Sequence, residues 1–146
     1  MTALRTILLA EDSPADAEMA IDALKEARLA NPIVHVEDGV EALDYLFRRG
    51  AHADRAEGMP SVLLLDIKMP RMDGLEVLRH IRGDEKLKHL PVVILSSSRE
   101  ESDLARSWDL GVNAYVVKPV DIDQFFQAVK SLGTFWAVIN ETPTKG

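Results

Sequence analysis

The sequence predicts an α/β domain in which a central five-stranded parallel sheet lies between two layers of helices. Five short apolar runs recur along the chain, at residues 7–10, 33–36, 62–65, 92–95 and 115–117. These runs are continuous or rich in β-branched residues, which is typical of strands buried on both faces of a parallel sheet. Segments with helical spacing separate them, giving strand and helix repeated five times. Right-handed crossovers then place helices on both faces of the sheet.

The helices that follow these strands have recognisable start signals. Ser13 is followed by a proline and then by an early acid, the preferred order at a helix N-terminus. Asp73, Ser98 and Asp121 each have Glu or Gln three residues later, which is the spacing of a capping box. The last helix also has an apolar stripe with i, i+3, i+4, i+7 spacing. We expect the fourth helix to end at Gly111, because glycine is the favoured residue just after a helix.

Length and composition exclude several classes of protein. A chain of 146 residues forms about one domain, and an apolar fraction of 47% excludes wholesale disorder. The net charge of −7 provides no basic surface for a nucleic-acid backbone or an anionic membrane. The absence of cysteine excludes disulfides and thiolate sites. The first apolar run is interrupted by Glu11 and Asp12, and no run approaches the roughly 18 residues of a membrane span. We therefore expect a cytoplasmic protein that binds neither nucleic acid nor a membrane.

Polar residues directly follow four of the predicted strands, at the edge where ligands of open parallel sheets bind. They are Glu11 and Asp12 after the first strand, Asp66 after the third, Ser96 after the fourth and Lys118 after the fifth. Three carboxylates packed together repel one another unless a cation neutralises them, and Mg²⁺ prefers carboxylates, water and phosphate oxygens. A lysine and a hydroxyl would complete a site for a tetrahedral anion. The pattern therefore predicts a phosphoryl group on an aspartate.

The order and spacing of these motifs resemble those of CheY-like receiver domains of two-component response regulators. The matching motifs are Glu11-Asp12, Asp66-Ile67-Lys68-Met69-Pro70 with Asp73-Gly74, Ser96, and Tyr115-Val116-Val117-Lys118-Pro119. All of them are in register over about residues 5–132. The resemblance implies the flavodoxin-like (βα)5 fold. We expect one receiver domain over residues 1–146, with its core at about 5–132, a C-terminal extension at about 133–146 and no effector domain.

The resemblance implies that Asp66 accepts a phosphoryl group from the phosphohistidine of a sensor histidine kinase. It also implies that Mg²⁺ is held by Glu11, Asp12, Asp66 and the backbone carbonyl of Lys68. Lys118 would bind the phosphoryl oxygens. Such a protein is a switch rather than an enzyme, because it catalyses only its own phosphoryl acceptance and a slow autodephosphorylation.

The resemblance also implies a switch mechanism. Ser96 would move to hydrogen-bond the phosphoryl oxygens, and Tyr115 would rotate inwards with it, which changes the surface formed by the fourth helix, the fifth strand and the fifth helix. Simpler interpretations remain open for both residues. Ser96 lies in a run of three serines, any of which could be a loop or cap residue, and Tyr115 is as well explained as a core residue.

Other functions fit the sequence less well. A receiver that binds partners without phosphorylation is the main alternative, and the presence of Asp12, Asp66 and Lys118 argues against it. A phosphatase of the haloacid-dehalogenase type would need a second aspartate two residues after the nucleophile, where Lys68 stands. A nucleotide-binding enzyme would need a glycine-rich phosphate loop, which the residues after the first strand do not provide.

Aromatic residues are concentrated near the C-terminus, which suggests a partner surface. Six of the eight follow residue 107, namely Trp108, Tyr115, Phe125, Phe126, Phe135 and Trp136. One helix face cannot bury them all, and aromatic residues are favoured anchors in interfaces. We predict a homodimer through the fourth and last helices to which Trp108, Phe135 and Trp136 contribute. The Phe-Trp pair and the long loop at residues 50–60 resemble the stand-alone regulators paired with bacterial phytochrome kinases, so a bacteriophytochrome is the expected kinase.

Lys68 stands where the family often has asparagine. Because the implied metal ligand is the main-chain carbonyl, metal binding should persist, but the side chain lies close to the acceptor in sequence. We expect Lys68 to change the lifetime of the phosphoaspartate. The measurement is the dephosphorylation rate of a Lys68→Asn variant, and a rate equal to that of the wild type would contradict this prediction.

Overall fold

The computed structural model describes residues 6–26, 31–55 and 58–130. Within them the strands are β1 (Ile7–Ala10), β2 (Ile33–Val36), β3 (Val62–Asp66), β4 (Val92–Ser96) and β5 (Ala114–Val117). The helices are α1 (Pro14–Glu26), α2 (Gly39–Phe47), α3 (Gly74–Arg82), α4 (Arg99–Ser107) and α5 (Ile122–Lys130), with a short 3-10 helix (Gly50–His52) after α2. The sheet order is β2-β1-β3-β4-β5, and every neighbouring pair is parallel. The predicted fold class is therefore confirmed.

The two faces of the sheet are covered by different helices. Ile7 and Leu9 of β1 pack with α1 and α5, whereas Leu8 and Ala10 pack with α2, α3 and α4. Successive side chains of a strand point to opposite faces, so strands that are covered on both sides must be apolar at every position. This is the physical reason for the continuous apolar runs in the sequence.

The predicted helix starts are confirmed by side-chain caps. Four capping side chains accept a hydrogen bond from the backbone N–H three residues later, and they are Ser13, Asp73, Ser98 and Asp121. A cap of the same kind begins α2, where the Asp38 carboxylate accepts from the N–H of Glu41 at 2.7 Å. This cap is not among the predicted helix starts, although Asp38 and Glu41 have the same spacing as the others.

The end of α4 differs from the prediction. The helix ends at Ser107, four residues before Gly111. Asp109 adopts a left-handed conformation with φ of 53°, which interrupts the helical path. Arg82 of α3 donates hydrogen bonds to the carbonyl oxygens of Leu110 and Gly111 at 2.7 and 2.8 Å. A contact with a different helix fixes this loop, and the local sequence pattern contains no sign of it.

The loop after β3 is held tightly against the start of α3. The N–H of Gly74 donates to the carbonyl oxygen of Ile67 at 2.6 Å. A Cβ atom on Gly74 would lie 2.2 Å from the carbonyl oxygen of Asp66, so only glycine allows this approach. The short connection fixes the backbone on the C-terminal side of Asp66.

Among the described residues, no helix is both long and apolar enough to cross a membrane. The predicted interface residues Phe135 and Trp136 lie outside the described residues, as does the predicted extension at 133–146.

Candidate functional site

The carboxyl edge of the sheet brings together the charged residues that the sequence analysis selected. Glu11 follows β1, Asp66 ends β3 and Lys118 follows β5. In the sheet, β1 lies between β2 and β3, so the strand order reverses at β1. Ligands of open parallel sheets bind at the carboxyl ends of the strands beside such a reversal, which here are β1 and β3. Glu11, Asp12 and Asp66 each offer a carboxylate oxygen there, and these oxygens all lie within 4.8 Å of one another.

The Lys118 ammonium lies at the centre of the carboxylates. Its Nζ is 3.0 Å from Glu11 Oε1, 3.0 Å from Asp66 Oδ1 and 2.9 Å from Asp16 Oδ2. The ammonium donates hydrogen bonds to Glu11 and Asp16, and it forms an ion pair with Asp66. Asp16 lies in the first turn of α1 and is not among the predicted site residues. An acid at that position is ordinarily explained by the helix dipole alone.

The carboxylates outnumber the cation that faces them, and this affects the pKa of Asp66. Burial and the charges of Glu11 and Asp12 raise the pKa of Asp66 to about 7, against the opposing effect of Lys118. Burial lowers the pKa of Lys118, but hydrogen bonds with Asp16 and Asp66 outweigh that effect and raise it above its usual value. The site therefore contains more negative charge than Lys118 balances.

The donor set fits a divalent metal ion. Carboxylate oxygens are the ligands that hard divalent cations prefer, and a further positive charge would relieve the repulsion that raises the pKa of Asp66. Glu11 and Asp66 are buried, whereas Asp12 is exposed, so the group opens to solvent on one side. Water or an anion can reach the site from that side.

Ser96 ends β4 between the strands that carry Asp66 and Lys118. It is fully buried, and its hydroxyl is hydrogen-bonded to the hydroxyl of Ser102 on α4. Its carbonyl oxygen accepts from the N–H of Lys118 at 2.7 Å. Ser96 therefore lies next to the acidic group, but its hydroxyl is hydrogen-bonded to Ser102 of α4. Ser102 was not selected from the sequence.

The two residues predicted at the switch and partner surface lie along α4 and β5. Tyr115 of β5 is partly buried, and the guanidinium carbon of Arg106 on α4 lies 4.0 Å from the centre of its ring. Trp108 directly follows α4 and is 39% exposed, and Leu104 one turn earlier is 56% exposed. The structure therefore brings Tyr115 and Trp108 to the α4 side of the molecule rather than to the acidic group.

Lys68 points towards the first turn of α4. Its side chain is 83% exposed, and its Nζ lies 3.8 Å from Glu101 Oε2. The other Glu101 carboxylate oxygen accepts from the N–H of Ser97 at 2.7 Å. Glu101 thus connects the loop after β3 to the loop after β4. The sequence pattern indicated Glu101 only as part of a helix cap.

Comparisons with known proteins give one family. The family model for the response regulator receiver domain matches residues 7–130. The response regulator Rcp1 of Synechocystis sp. is 34% identical over 132 residues, which are 90% of this chain and 88% of Rcp1. This likeness extends over nearly all of both chains.

Solved structures of similar proteins have the same fold. The bacteriophytochrome response regulator AtBRR is 55% identical, with a TM-score of 0.90 over 96% of this chain and 100% of AtBRR. The bacteriophytochrome response regulator RtBRR is 51% identical, with a TM-score of 0.90 over 97% of this chain and 86% of RtBRR. The Mn²⁺-bound form of Rcp1 is 33% identical, with a TM-score of 0.73 over 94% of this chain and 97% of that one.

Replacing Lys118 by methionine should destabilise the protein in the presence of EDTA. The substitution removes the cation that faces Glu11 and Asp66, both buried, and leaves their carboxylates unpaired. Breaking a buried ion pair in this way commonly costs about 3 kcal/mol. We expect a loss of that order in the free energy of unfolding measured with urea.

Lys88→Met is the matched control. The Lys88 ammonium pairs with Glu85 at 3.3 Å on the surface, and Glu85 is 90% exposed. Surface pairs contribute less than about 1 kcal/mol, so this variant should be close to the wild type. If both variants lose the same free energy of unfolding, Lys118 does not stabilise the buried carboxylates as we infer.

Proposed function

Because the chain belongs to the response regulator receiver domain family, we propose that Asp66 accepts a phosphoryl group from the phosphohistidine of a sensor histidine kinase. The predicted family is confirmed, as is its branch of phytochrome-associated regulators. A phosphorylation-based role in two-component signalling follows from this membership. The observation that carries the proposal for Asp66 is its burial among acidic residues with Lys118 Nζ at 3.0 Å.

In the transfer step, a carboxylate oxygen of Asp66 attacks the phosphorus of the phosphohistidine. The phosphorus–nitrogen bond breaks, its electron pair returns to the imidazole, and the imidazole takes up a proton from solvent. Lys118 donates to the oxygens of the transferring group, where negative charge must be stabilised. Positioning and charge stabilisation supply most of the catalysis of phosphoryl transfer.

We propose that the resident cation is Mg²⁺, held by Glu11, Asp12, Asp66 and the backbone carbonyl of Lys68. When bound, such an ion neutralises negative charge on the phosphoryl oxygens. Support comes from the three carboxylate oxygens within 4.8 Å of one another. Rcp1 provides a further argument, since its structure is of a Mn²⁺-bound form and Mn²⁺ and Mg²⁺ favour the same oxygen ligands.

Phosphorylation would switch the surface of α4, β5 and α5. In the proposed switch, Ser96 gives up its hydrogen bond with Ser102 and donates to the phosphoryl oxygens, and Tyr115 rotates inwards as α4 adjusts. The partners of these side chains support the proposal, because Ser102 and Arg106 both belong to α4. A change at Ser96 therefore has a direct route to the helix that packs beside Tyr115.

The proposed partners are a bacteriophytochrome kinase and a second copy of the chain. Two solved relatives are bacteriophytochrome response regulators, which favours a phytochrome as the kinase. We also propose that the chain acts as one receiver domain in the cytoplasm, and that it catalyses no reaction beyond its own phosphorylation and slow dephosphorylation.

The exposed pair Leu104 and Trp108 supports the dimer proposal, since neighbouring exposed apolar side chains at the end of a helix suit an interface. Light scattering before and after phosphorylation measures the oligomeric state. We expect a dimer under at least one of the two conditions, and Leu104→Glu should weaken it. A monomer under both conditions would contradict the dimer.

A receiver that binds partners without phosphorylation is the alternative function. It requires no metal and no reaction at Asp66, so the chemistry at this residue separates the two proposals.

Incubation with acetyl phosphate and Mg²⁺ should add one phosphoryl group to the wild-type protein, measured as an intact mass. Asp66→Asn should remain unmodified because it lacks the attacking carboxylate, and EDTA added beforehand should prevent the reaction. Asp103→Asn serves as the matched control, because it removes an exposed aspartate from α4. An adduct that persists in Asp66→Asn would place the acceptor elsewhere, and a wild type without an adduct would favour the alternative function.

A further inference from the structure

Asp16 contacts the lysine of the site without belonging to the acidic metal group. Its Oδ2 lies 2.9 Å from Lys118 Nζ, whereas the described carboxylates grouped closely enough for a metal ion are those of Glu11, Asp12 and Asp66. The side chain of Asp16 is 34% exposed, compared with 1% for Glu11 and 5% for Asp66. Among the three carboxylates on Lys118, Asp16 is the one with substantial access to water.

The Lys118 ammonium donates hydrogen bonds to Glu11 and Asp16 in this structure, and its Nζ also lies 3.0 Å from Asp66 Oδ1 as an ion pair. A phosphoryl group on Asp66 can take over the donor that faces Asp66, but a second hydrogen bond from Lys118 to it requires Glu11 or Asp16 to give way. Glu11 is buried, and its second oxygen already accepts from the N–H of Ser13 at 3.1 Å. Asp16 can return to solvent at much lower cost than a buried carboxylate can.

We propose that Asp16 is a positioning residue that holds Lys118 in the resting state and competes with the phosphoryl group for its ammonium. The inference rests on the proposed phosphorylation of Asp66. The competition has two sources, since Asp16 occupies a donor of Lys118 and also places a negative charge next to an incoming anion. Removing this carboxylate leaves the lysine free to bind phosphoryl oxygens more strongly.

The backbone at Asp16 is fixed, so the substitution acts mainly on the side chain. The N–H of Asp16 donates to Ser13 Oγ at 3.2 Å, and the carbonyl of Ser13 accepts from the N–H of Ala17. Neither hydrogen bond uses the Asp16 carboxylate. Asparagine at this position therefore preserves the start of α1 and removes only the charge.

The experiment measures phosphorylation of the full chain by acetyl phosphate in saturating Mg²⁺, at a series of donor concentrations. Asp16→Asn should lower the half-saturating concentration of acetyl phosphate by about fivefold, as expected for the loss of one partly exposed ion pair. The maximal rate should change by less than about twofold, because Asp16 is not the attacking group and one partly exposed ion pair contributes less than about 1 kcal/mol. A lower half-saturating concentration with a nearly unchanged maximal rate indicates competition for Lys118. A purely structural role of Asp16 would instead lower the maximal rate.

Asp22→Asn is the matched control, because it removes the same charge from an exposed position two turns further along α1. Asp16→Ser is a second uncharged variant, and serine is well tolerated in the first turn of a helix. Asp16→Glu should restore a half-saturating concentration close to that of the wild type, since it returns a carboxylate.

Several outcomes would overturn the inference. If Asp16→Asn and Asp16→Ser both have the half-saturating concentration of Asp22→Asn, only net charge matters and the inference is wrong. A reduced maximal rate with an unchanged half-saturating concentration would make Asp16 a support for Lys118 rather than a competitor. A wild type without an adduct overturns the proposed function, and this inference with it. An adduct on the wild type with no difference at Asp16 overturns the inference alone.

Discussion

The contact between the Lys118 ammonium and the carboxylates at the edge of the sheet is the interaction on which the site depends. Burial of Glu11 and Asp66 as carboxylates is unfavourable without a cation, and Lys118 is the cation that faces both of them. β4 separates the strand of Lys118 from that of Asp66, so the lysine side chain spans the end of β4. That strand ends in Ser96, a small residue whose carbonyl oxygen holds the backbone of Lys118.

Residues next to this contact and a residue of β5 have partners on one helix, α4. Ser102 of α4 is hydrogen-bonded to Ser96, Glu101 pairs with Lys68, and Arg106 lies over the ring of Tyr115. The same helix buries only two of its nine residues, Ser102 and Ala105. Few buried contacts are characteristic of elements that open or shift at low free-energy cost. A helix held mainly by polar contacts with the site is well suited to report a change of charge there.

The sequence predicted the sheet and most of the site because both depend on local patterns. Strands covered on both faces are continuously apolar, and the residue after each strand lies at the ligand edge, so Glu11, Asp66 and Lys118 could be selected. Contacts that depend on how helices pack could not be selected in this way. Asp16 is an ordinary first-turn acid until α1 lies beside Lys118, and the early end of α4 depends on Arg82 of another helix. Tertiary packing decides these features, and no short motif encodes it.

We infer that Lys118 and a divalent cation together balance the charge of the acidic group and of a phosphoryl group on Asp66. The decisive measurement is diffraction from crystals grown with Mn²⁺ and beryllofluoride, a mimic of the phosphoryl group. We expect an anomalous peak among Glu11, Asp12 and Asp66, with beryllofluoride on Asp66 and in contact with Lys118 Nζ. Manganese bound elsewhere, or beryllofluoride on Asp66 with no contact to Lys118, would contradict this inference.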